Sequence, residues 1–415
     1  MDIVIVTNSP GEITGWVMPV TESLIHDPYF RTDSDRIIIF IPHCQYAGGK
    51  EADIAKKIPG VSAVFGPSDH LKFVFFNKGI AGGFSRDGIV IHLGSDYFHS
   101  RLISKRLSYP AIAYSYEAAK IYNNAFVKFF VPDEGTRDRL VSSGMSASKI
   151  DVVGDLVVDS VRTSISAADA RKSWGCVAES FLLGIFSGSR PYQVKYMIPF
   201  FLRCCELIKK DFPRVDFVLS RPAFVSEAQI KDAMEKSVGD VLEAARGTIE
   251  NDFIVTDSGL RIRIVKEMPY EVMNSCDMIL TIPGTNTAQI AAAGCPMLVV
   301  APLNKPEEIP LDGLAGHIQH IPFIGRPLKA FLVRKFSASL PFTAIPNRRV
   351  KSEVAKEIRG VIASKDVVDA ASALIRDEGA RKKMSSELKR IMGAGGAADR
   401  IAGSVMLLSG RDSTN

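Results

Sequence analysis

Four short segments of this 415-residue chain place small residues beside hydroxyl, amide, carboxylate or guanidinium groups, each directly after an apolar run. They are 8–15, 92–96, 187–190 and 283–289. Small residues let the backbone approach a ligand closely, and the helix that follows presents unpaired N–H groups to an anion or a sugar hydroxyl. The pattern therefore favours a ligand that carries phosphate or sugar groups.

Two of these segments suit a diphosphate. Arg190, in Gly188-Ser189-Arg190, can bind two phosphate oxygens at once, and the turn Gly284-Thr285-Asn286-Thr287 opens an alanine-rich helix. The candidate ligand residues are Gly11, Ser189, Arg190, Gly284, Thr285, Asn286, Thr287 and, within reach of a ribose, Gln289. The alternatives are ordinary helix caps with a solvated arginine. Neither a P-loop lysine nor the G-x-G-x-x-G spacing is present.

Two carboxylates are candidates for a general base. Asp96 follows the apolar run that ends at Leu93, and Glu12 lies in the turn at Gly11. A carboxylate just past a strand end is well placed to accept a proton from a substrate. For Asp96 the competing interpretation is that it caps the helix beginning near Tyr97.

Cysteine and histidine spacing gives no reason to expect a metal or a disulfide framework. The six cysteines form no C-x-x-C pair, and the seven histidines show neither H-x-x-x-H nor H-E-x-x-H spacing. We therefore expect reduced thiols, no metal and no cofactor other than the substrate.

The region 313–352 is basic, apolar and free of acidic residues. Its seven cations are interleaved with aromatic and aliphatic side chains, a mixture that suits an anionic membrane surface. A buried helix with a solvated basic edge is the alternative. The net charge of +5 is mild, and no nucleic-acid motif accompanies the region, so nucleic acid is not expected as a partner.

Short apolar strands alternate with helical patterns along the whole chain, which is typical of parallel sheets covered on both faces. The first series of predicted strands is 3–7, 36–41, 89–93, 111–114, 126–131 and 151–153; the second is 181–186, 216–219, 262–265, 278–281 and 297–300. We predict an α/β protein with two doubly wound Rossmann-like domains facing a cleft, at 1–165 and 166–385. A helical tail at 386–415 is expected to pack back toward the first domain. In such sheets the carboxyl ends of the strands bear the ligand.

An ordered set of motifs resembles the lipid-A-disaccharide synthases, which are inverting, metal-independent glycosyltransferases of the GT-B type. The set comprises Gly11-Glu12-x-Thr14-Gly15, Val153-Gly154, Gly188-Ser189-Arg190, Gly284-Thr285-x-Thr287, Pro346-Asn347 and the acidic pair Glu353 and Glu357. The matches run in order along nearly the whole chain.

The resemblance implies transfer of an acylated glucosamine-type sugar from a UDP-sugar to a lipid-linked sugar acceptor at the inner face of the cytoplasmic membrane. It also implies that Arg190, Thr285, Asn286, Thr287 and Asn347 hold the UDP diphosphate, and that Asp96 lies on the acceptor side. We expect a cytoplasmic, peripherally membrane-associated monomer or homodimer. The competing functions are a UDP-sugar epimerase and a non-catalytic nucleotide-sugar-binding protein.

The sequence departs from the family mainly in its first half. Trp16 replaces an acidic residue, and Ser115-Tyr116-Glu117-Ala118 replaces a tryptophan-bearing segment. The segment 42–49 replaces a glycine-rich loop, and in the second half Gln289 stands where the family has a ribose-binding glutamate. These departures favour a divergent acceptor more than a divergent nucleotide.

Overall fold

The computed structural model describes residues 1–43, 49, 51–76, 83–117, 120–177, 179–223, 225–236, 243–309 and 325–411. The chain folds into two compact units. Unit 1 comprises Met1–Ser160 together with Gly393–Asn415, and unit 2 comprises Val161–Met392. The sequence predicts these limits at 165/166 and 385/386, whereas the two units divide at 160/161 and 392/393.

Unit 1 is built on a parallel seven-stranded sheet in the order β3-β2-β1-β4-β5-β6-β7. Its strands are β1 (Asp2–Val6), β2 (Arg36–Phe40), β3 (Val61–Phe65), β4 (Gly88–His92), β5 (Ala111–Tyr114), β6 (Lys128–Val131) and β7 (Ile150–Val152). Its helices are α1 (Pro10–Glu12), α2 (Met18–His26), α3 (Glu51–Ala55), α4 (Pro67–Phe76), α5 (Tyr97–Leu107), α6 (Glu134–Ser142) and α7 (Leu156–Ser160). A π-helical turn, Ile13–Val17, joins α1 to α2.

Unit 2 is built on an eight-stranded sheet in the order β10-β11-β12-β9-β8-β13-β14-β15, in which the β10–β11 and β11–β12 pairs are antiparallel and the other pairs are parallel. Its strands are β8 (Phe181–Phe186), β9 (Val215–Arg221), β10 (Gly247–Glu250), β11 (Phe253–Thr256), β12 (Arg261–Lys266), β13 (Met278–Thr281), β14 (Met297–Pro302) and β15 (Lys356–Gly360). Its helices are α8 (Ala167–Ser173), α9 (Pro191–Asp211), α10 (Glu227–Lys236), α11 (Pro269–Ser275), α12 (Thr285–Ala293), α13 (Gly325–Ser339), α14 (Ile345–Val350), α15 (Ser364–Arg376) and α16 (Glu378–Met392).

The central strands are buried on both faces, as the near-continuous apolar runs predicted. In β1, Ile3 and Ile5 join one hydrophobic cluster while Val4 and Val6 join the other. In unit 2, Leu183 and Ile185 pack with α9 in a third cluster. This confirms the predicted doubly wound fold of each unit, and it fixes the carboxyl ends of the strands as the edge at which ligand loops lie.

The last helix, α17 (Ala397–Leu408), returns to unit 1, as predicted. Ile401 and Val405 are fully buried against α2, and the Asp159 carboxylate accepts a hydrogen bond from Ala398 N at 2.7 Å. Ser23 Oγ donates to Asp399 Oδ1 at 2.7 Å. The tail is therefore part of the unit 1 core.

Among the described residues, no helix is both long and apolar enough to cross a membrane.

Candidate functional site

In unit 2 the two predicted phosphate loops lie at the carboxyl ends of neighbouring strands, β8 and β13. Gly188 in the first loop lies against Ile282, directly before the second: a Cβ on Gly188 would stand 2.6 Å from Ile282 Cδ1 and 2.4 Å from Gln193 Oε1. Because Gly188 also has a φ of +91°, only glycine fits this close approach without strain. The two sequence motifs thus lie close together in space.

The loop after β8 leads into α9, whose first turn is held by Gln193. The Gln193 side chain accepts a hydrogen bond from Arg190 N at 3.1 Å, and both Ser189 and Arg190 are half-buried. The N-terminus of this 21-residue helix therefore lies at the loop. Its dipole favours negative charge at that position.

The loop after β13 leaves Gly284, Thr285 and Asn286 at least partly accessible, but it uses Thr287 internally. Thr287 is fully buried; its hydroxyl donates to Gly284 O at 2.8 Å and accepts from Ile345 N at 3.1 Å. Thr287 therefore shapes the loop and ties it to α14, and its predicted contact with the diphosphate stays a prediction.

Gln289 is buried one turn further into α12. Its Nε2 donates to the Tyr270 hydroxyl at 3.2 Å, which links α12 to α11. Tyr270 follows β12 and had no sequence signal of its own, because a lone tyrosine after Met268-Pro269 resembles any helix start. The ribose role predicted for Gln289 stays a prediction.

Asn347 has a structural role, and its predicted contact with the diphosphate stays a prediction. It is fully buried; its Nδ2 donates to Ala355 O and Glu357 Oε1, and its Oδ1 accepts from Val354 N and Ala355 N. These four partners use the whole hydrogen-bonding capacity of an amide.

Glu357 completes this network and fixes the start of α14. Its carboxylate accepts hydrogen bonds from Thr343 N, Thr343 Oγ1 and Ala344 N at 2.7–3.1 Å. Although desolvation raises the pKa of Glu357, these hydrogen bonds outweigh it and leave the pKa below its ordinary value. Glu357 is thus an ionised anchor that holds α14 against the phosphate loop.

In unit 1, Glu12 lies between the loops that follow β1 and β4. Its Oε2 accepts hydrogen bonds from Asn8 N, Ser9 N and Thr7 Oγ1 at 3.1–3.4 Å. A Cβ on Gly94 would stand 2.1 Å from Glu12 Cδ, so the carboxyl group packs directly on that loop. Burial raises the pKa of Glu12, against the lowering effect of the two backbone N–H groups. A raised pKa suits a proton acceptor that works near neutral pH.

Asp96 caps α5, as the alternative interpretation held. Its Oδ1 accepts a hydrogen bond from Phe98 N at 2.8 Å, and the carboxylate is exposed. A cap and a base are compatible roles for one exposed carboxylate, so the predicted catalytic role of Asp96 remains a prediction. The ligand role predicted for Gly11, at the start of α1, also remains a prediction.

Two of the positions at which the sequence departs from the family lie side by side. The rings of Trp16 and Tyr116 are 5.7 Å apart, and the Tyr116 hydroxyl donates to Asp155 Oδ1 at 2.8 Å. Asp155 is buried directly after β7. The rule that selected Asp96, a carboxylate just past a strand, would also have selected Asp155.

Only part of the predicted membrane region lies within the described residues, since 313–324 lies outside them. The exposed side chains of α13 include basic and large apolar ones; these are Arg326, Leu328, Phe331, Arg334, Lys335 and Phe336. Lys329 and Val333 form the buried face, and α13 packs on the 3₁₀ turn Pro306–Glu308. The segment 44–48 of the predicted second-strand loop and Ala118 also lie outside the described residues.

No group of three or more His, Cys, Asp or Glu side chains that could hold a metal ion occurs among the described residues.

The curated proteins that this chain resembles include several lipid-A-disaccharide synthases at low identity. The chain is 23% identical over 266 residues to a lipid-A-disaccharide synthase of Geobacter sulfurreducens, covering 63% of this chain and 58% of that protein. It is 26% identical over 151 residues to that of Geobacter metallireducens, covering 36% and 34%. The chain thus matches between about one third and three fifths of the length of these relatives. No family model matches.

Solved structures match over nearly the whole chain at still lower identity. A UDP-GlcNAc 2-epimerase from Neisseria meningitidis bound to UDP-GlcNAc covers 98% of this chain and all of its own, with a TM-score of 0.59 and 14% identity. A putative UDP-N-acetylglucosamine 2-epimerase from Listeria monocytogenes covers 100% and 97%, with a TM-score of 0.62 and 12% identity. These likenesses support the two-domain Rossmann-like GT-B fold.

Proposed function

We propose that this chain, which resembles the lipid-A-disaccharide synthases as a divergent relative, is an inverting glycosyltransferase. It transfers an acylated glucosamine-type sugar from a UDP-sugar to a lipid-linked sugar acceptor. The observation that carries the proposal is the contact between the loops at Gly188 and Ile282–Thr287 on neighbouring strands of unit 2. Relatives named for this reaction, and fold neighbours with UDP-GlcNAc or UDP-glucose bound, support it.

In this proposal unit 2 binds the UDP diphosphate. The N-termini of α9 and α12 supply N–H groups and positive dipole ends, and Arg190 supplies a charge-assisted contact. Thr285 and Asn286 contribute polar side chains. As the bond between the anomeric carbon and the phosphate oxygen breaks, negative charge develops on UDP, and these groups stabilise it.

The proposed base belongs to unit 1. The hydroxyl oxygen of the acceptor attacks the anomeric carbon from the face opposite UDP, while a carboxylate takes the hydroxyl proton. Asp96 is the proposed base, and Glu12 is the reserve candidate. The electron pair of the broken bond leaves with UDP, so the configuration at the anomeric carbon inverts.

A lipid-linked acceptor requires contact with a membrane surface. We propose that the exposed face of α13 provides part of it, because its aromatic rings insert among headgroups while Arg326, Arg334 and Lys335 face anionic phosphates.

The test is to incubate the purified chain with a UDP-activated diacylated glucosamine and a diacylated glucosamine 1-phosphate in detergent. We expect UDP release that requires the acceptor, and a disaccharide product by mass spectrometry. Conversion of UDP-GlcNAc to its epimer without any acceptor would replace the proposal by an epimerase. UDP binding without turnover of either substrate would leave a nucleotide-sugar-binding protein.

A further inference from the structure

A histidine pair lies at the carboxyl edge of the unit 1 sheet, beside Asp96. His70 Nε2 and His99 Nδ1 are 3.0 Å apart, so one ring donates a hydrogen bond to the other. His70, on α4, is only 2% exposed, whereas His99, on α5, is half-buried. His99 stands three residues after the cap Asp96, within the same first helical turn.

Burial favours the neutral form of both rings. Desolvation lowers the pKa of His70 to about 4, and it lowers the pKa of His99 below its ordinary value despite the opposing charge of Asp96. A neutral imidazole carries one proton, so the hydrogen bond between the rings has two possible directions. Each direction fixes where the remaining proton lies.

His70 Nδ1 decides between the two directions. It is buried and has no hydrogen-bond partner among the residues that the structure describes. If His99 donated, Nδ1 of His70 would hold a buried N–H without an acceptor among the described residues, and orphaned buried donors are rarer than orphaned acceptors. If His70 donates through Nε2, its Nδ1 is only an unused lone pair. The second arrangement leaves the proton of His99 on Nε2.

We propose that His99 is a substrate-contacting residue whose Nε2–H donates a hydrogen bond to the oxygen of the acceptor hydroxyl beside Asp96, and that buried His70 is the positioning residue that fixes this tautomer. The two ring nitrogens of His99 diverge, so Nε2 faces away from His70. A neutral donor orients the hydroxyl without adding a positive charge that would weaken Asp96 as a base. The identity of the ligand rests on the proposed function.

The tautomer is tested without any substrate. The full chain, labelled with ¹⁵N in its histidines, is measured by long-range ¹H–¹⁵N correlation at pH 7, with His99→Gln and His70→Gln used for assignment. We expect His99 protonated at Nε2 and bare at Nδ1. A proton on Nδ1, or exchange between both forms, would overturn the assignment of His70 as donor.

The contact is tested with a matched pair of amides. In His99→Gln the side-chain amide reaches the Nε2 position, whereas in His99→Asn it reaches only the Nδ1 position. With the substrates named above, the KM for the acceptor should rise about tenfold in His99→Asn and less than about threefold in His99→Gln, the loss expected for one hydrogen bond. His70→Gln should resemble the parent, because its amide can still donate, and His70→Leu should resemble His99→Asn.

Controls separate this proposal from the proposed function. His26→Gln, at the solvent-accessible end of α2, should change nothing. An equal rise of the acceptor KM in His99→Gln and His99→Asn would mean that His99 only packs against its neighbours and does not contact the acceptor. If the parent protein shows no transfer, the proposed function fails. Glucosamine 1-phosphate is then titrated into the labelled protein while the ¹⁵N signals of His99 are followed. Unchanged signals at saturation would also contradict the proposed contact between His99 and the acceptor.

Discussion

Arg190 is the side chain from which we expect the largest single contribution to nucleotide affinity. Removing a charge-assisted contact to a diphosphate costs about 2–3 kcal/mol, which corresponds to a Kd raised about 30- to 150-fold. Calorimetric titration of UDP against Arg190→Ala measures this. Arg203→Ala, on α9 and paired with Glu206 at 3.1 Å, is the matched control. Parent-like affinity in Arg190→Ala would place the arginine outside the site.

Asp96 and Glu12 are the two candidate bases, and the transfer rates of their variants distinguish between them. Asp96→Asn keeps an acceptor for Phe98 N and is nearly isosteric, so the helix cap survives. Loss of a general base lowers kcat by about 10²–10⁴, with the Kd for UDP unchanged. The measurement is the transfer rate at saturating substrates.

Glu12→Gln is the companion variant. It preserves an oxygen for Asn8 N and Ser9 N, so the loop should hold its shape. A full rate in Asp96→Asn combined with a large loss in Glu12→Gln would transfer the role of base to Glu12, whose raised pKa suits it.

Buried histidines make the fold sensitive to acid. Burial lowers the pKa of His70 to about 4 and that of His92 to about 3, so the unfolded chain binds more protons than the folded chain below pH 6.5. Stability is therefore lost as the pH falls from 6.5 towards 4, at about 1.4 kcal/mol per pH unit for each histidine. Urea unfolding of the parent and of His70→Gln at several pH values measures the slope.

The variant should show a shallower slope than the parent, while His26→Gln, at the accessible end of α2, should keep the parent's slope. An unchanged slope in His70→Gln would mean that His70 is already protonated in the folded protein.

At the scale of elements, α13 is the test of membrane binding. The variant Phe331→Ser, Arg334→Gln, Lys335→Gln, Phe336→Ser changes only exposed positions, so the fold should be kept. Each cation near an anionic surface contributes about 1 kcal/mol, and the two rings add apolar burial. Sedimentation with vesicles that contain anionic lipid should therefore show at least about a tenfold weaker association for the variant.

A control with equal charge loss is Lys382→Gln, Lys383→Gln on α16, where both lysines are exposed. If both variants bind vesicles as the parent does, α13 is not the membrane contact. Binding by the parent should also weaken with added salt.

The sequence predicted the buried parallel strands well, because a strand covered on both faces must be apolar throughout. It missed β3, β10 and β15 because these strands are less buried and more polar, and it also missed the four-residue strand β11. β15 contains Lys356, Glu357 and Arg359, and it lies at the edge of its sheet with little burial. β10 and β11 form a hairpin through Asn251 and Asp252, both at positive φ, and the exposed residues of β10 alternate with less exposed ones.

The candidate site was predicted at the level of loops and less well at the level of side chains. The rule that ligands meet the carboxyl ends of strands placed all four loops after strands, as the structure has them. Residue type could not show that the side chains of Thr287 and Asn347 form hydrogen bonds within the protein. Their partners, Ile345 and Glu357, are brought to them only by the tertiary fold. The π-helical turn at Ile13–Val17 was also invisible to periodicity.

At the scale of the whole molecule, unit 1 needs its C-terminal segment. α17 buries Ile401, Val405 and Met406 in the unit 1 core. Losing three such side chains costs about 5–9 kcal/mol, which is comparable with the stability of an entire domain. A chain that ends at Met392 should therefore lose hydrogen-exchange protection in β1 and β2 while β8 and β13 keep theirs. Removal of residues 412–415 alone is the control, and protected β1 amides in the shorter chain would contradict the prediction.

The return of α17 to unit 1 also has a consequence for synthesis on the ribosome. Unit 2 is an insertion between two parts of unit 1, so all of its residues leave the exit tunnel before α17 does. Because domains generally fold as units during translation, unit 2 can reach its native state while unit 1 still waits for its closing helix. During that interval the nascent chain exposes the apolar face of α2. We therefore expect chaperones to bind the nascent chain mainly at this stage.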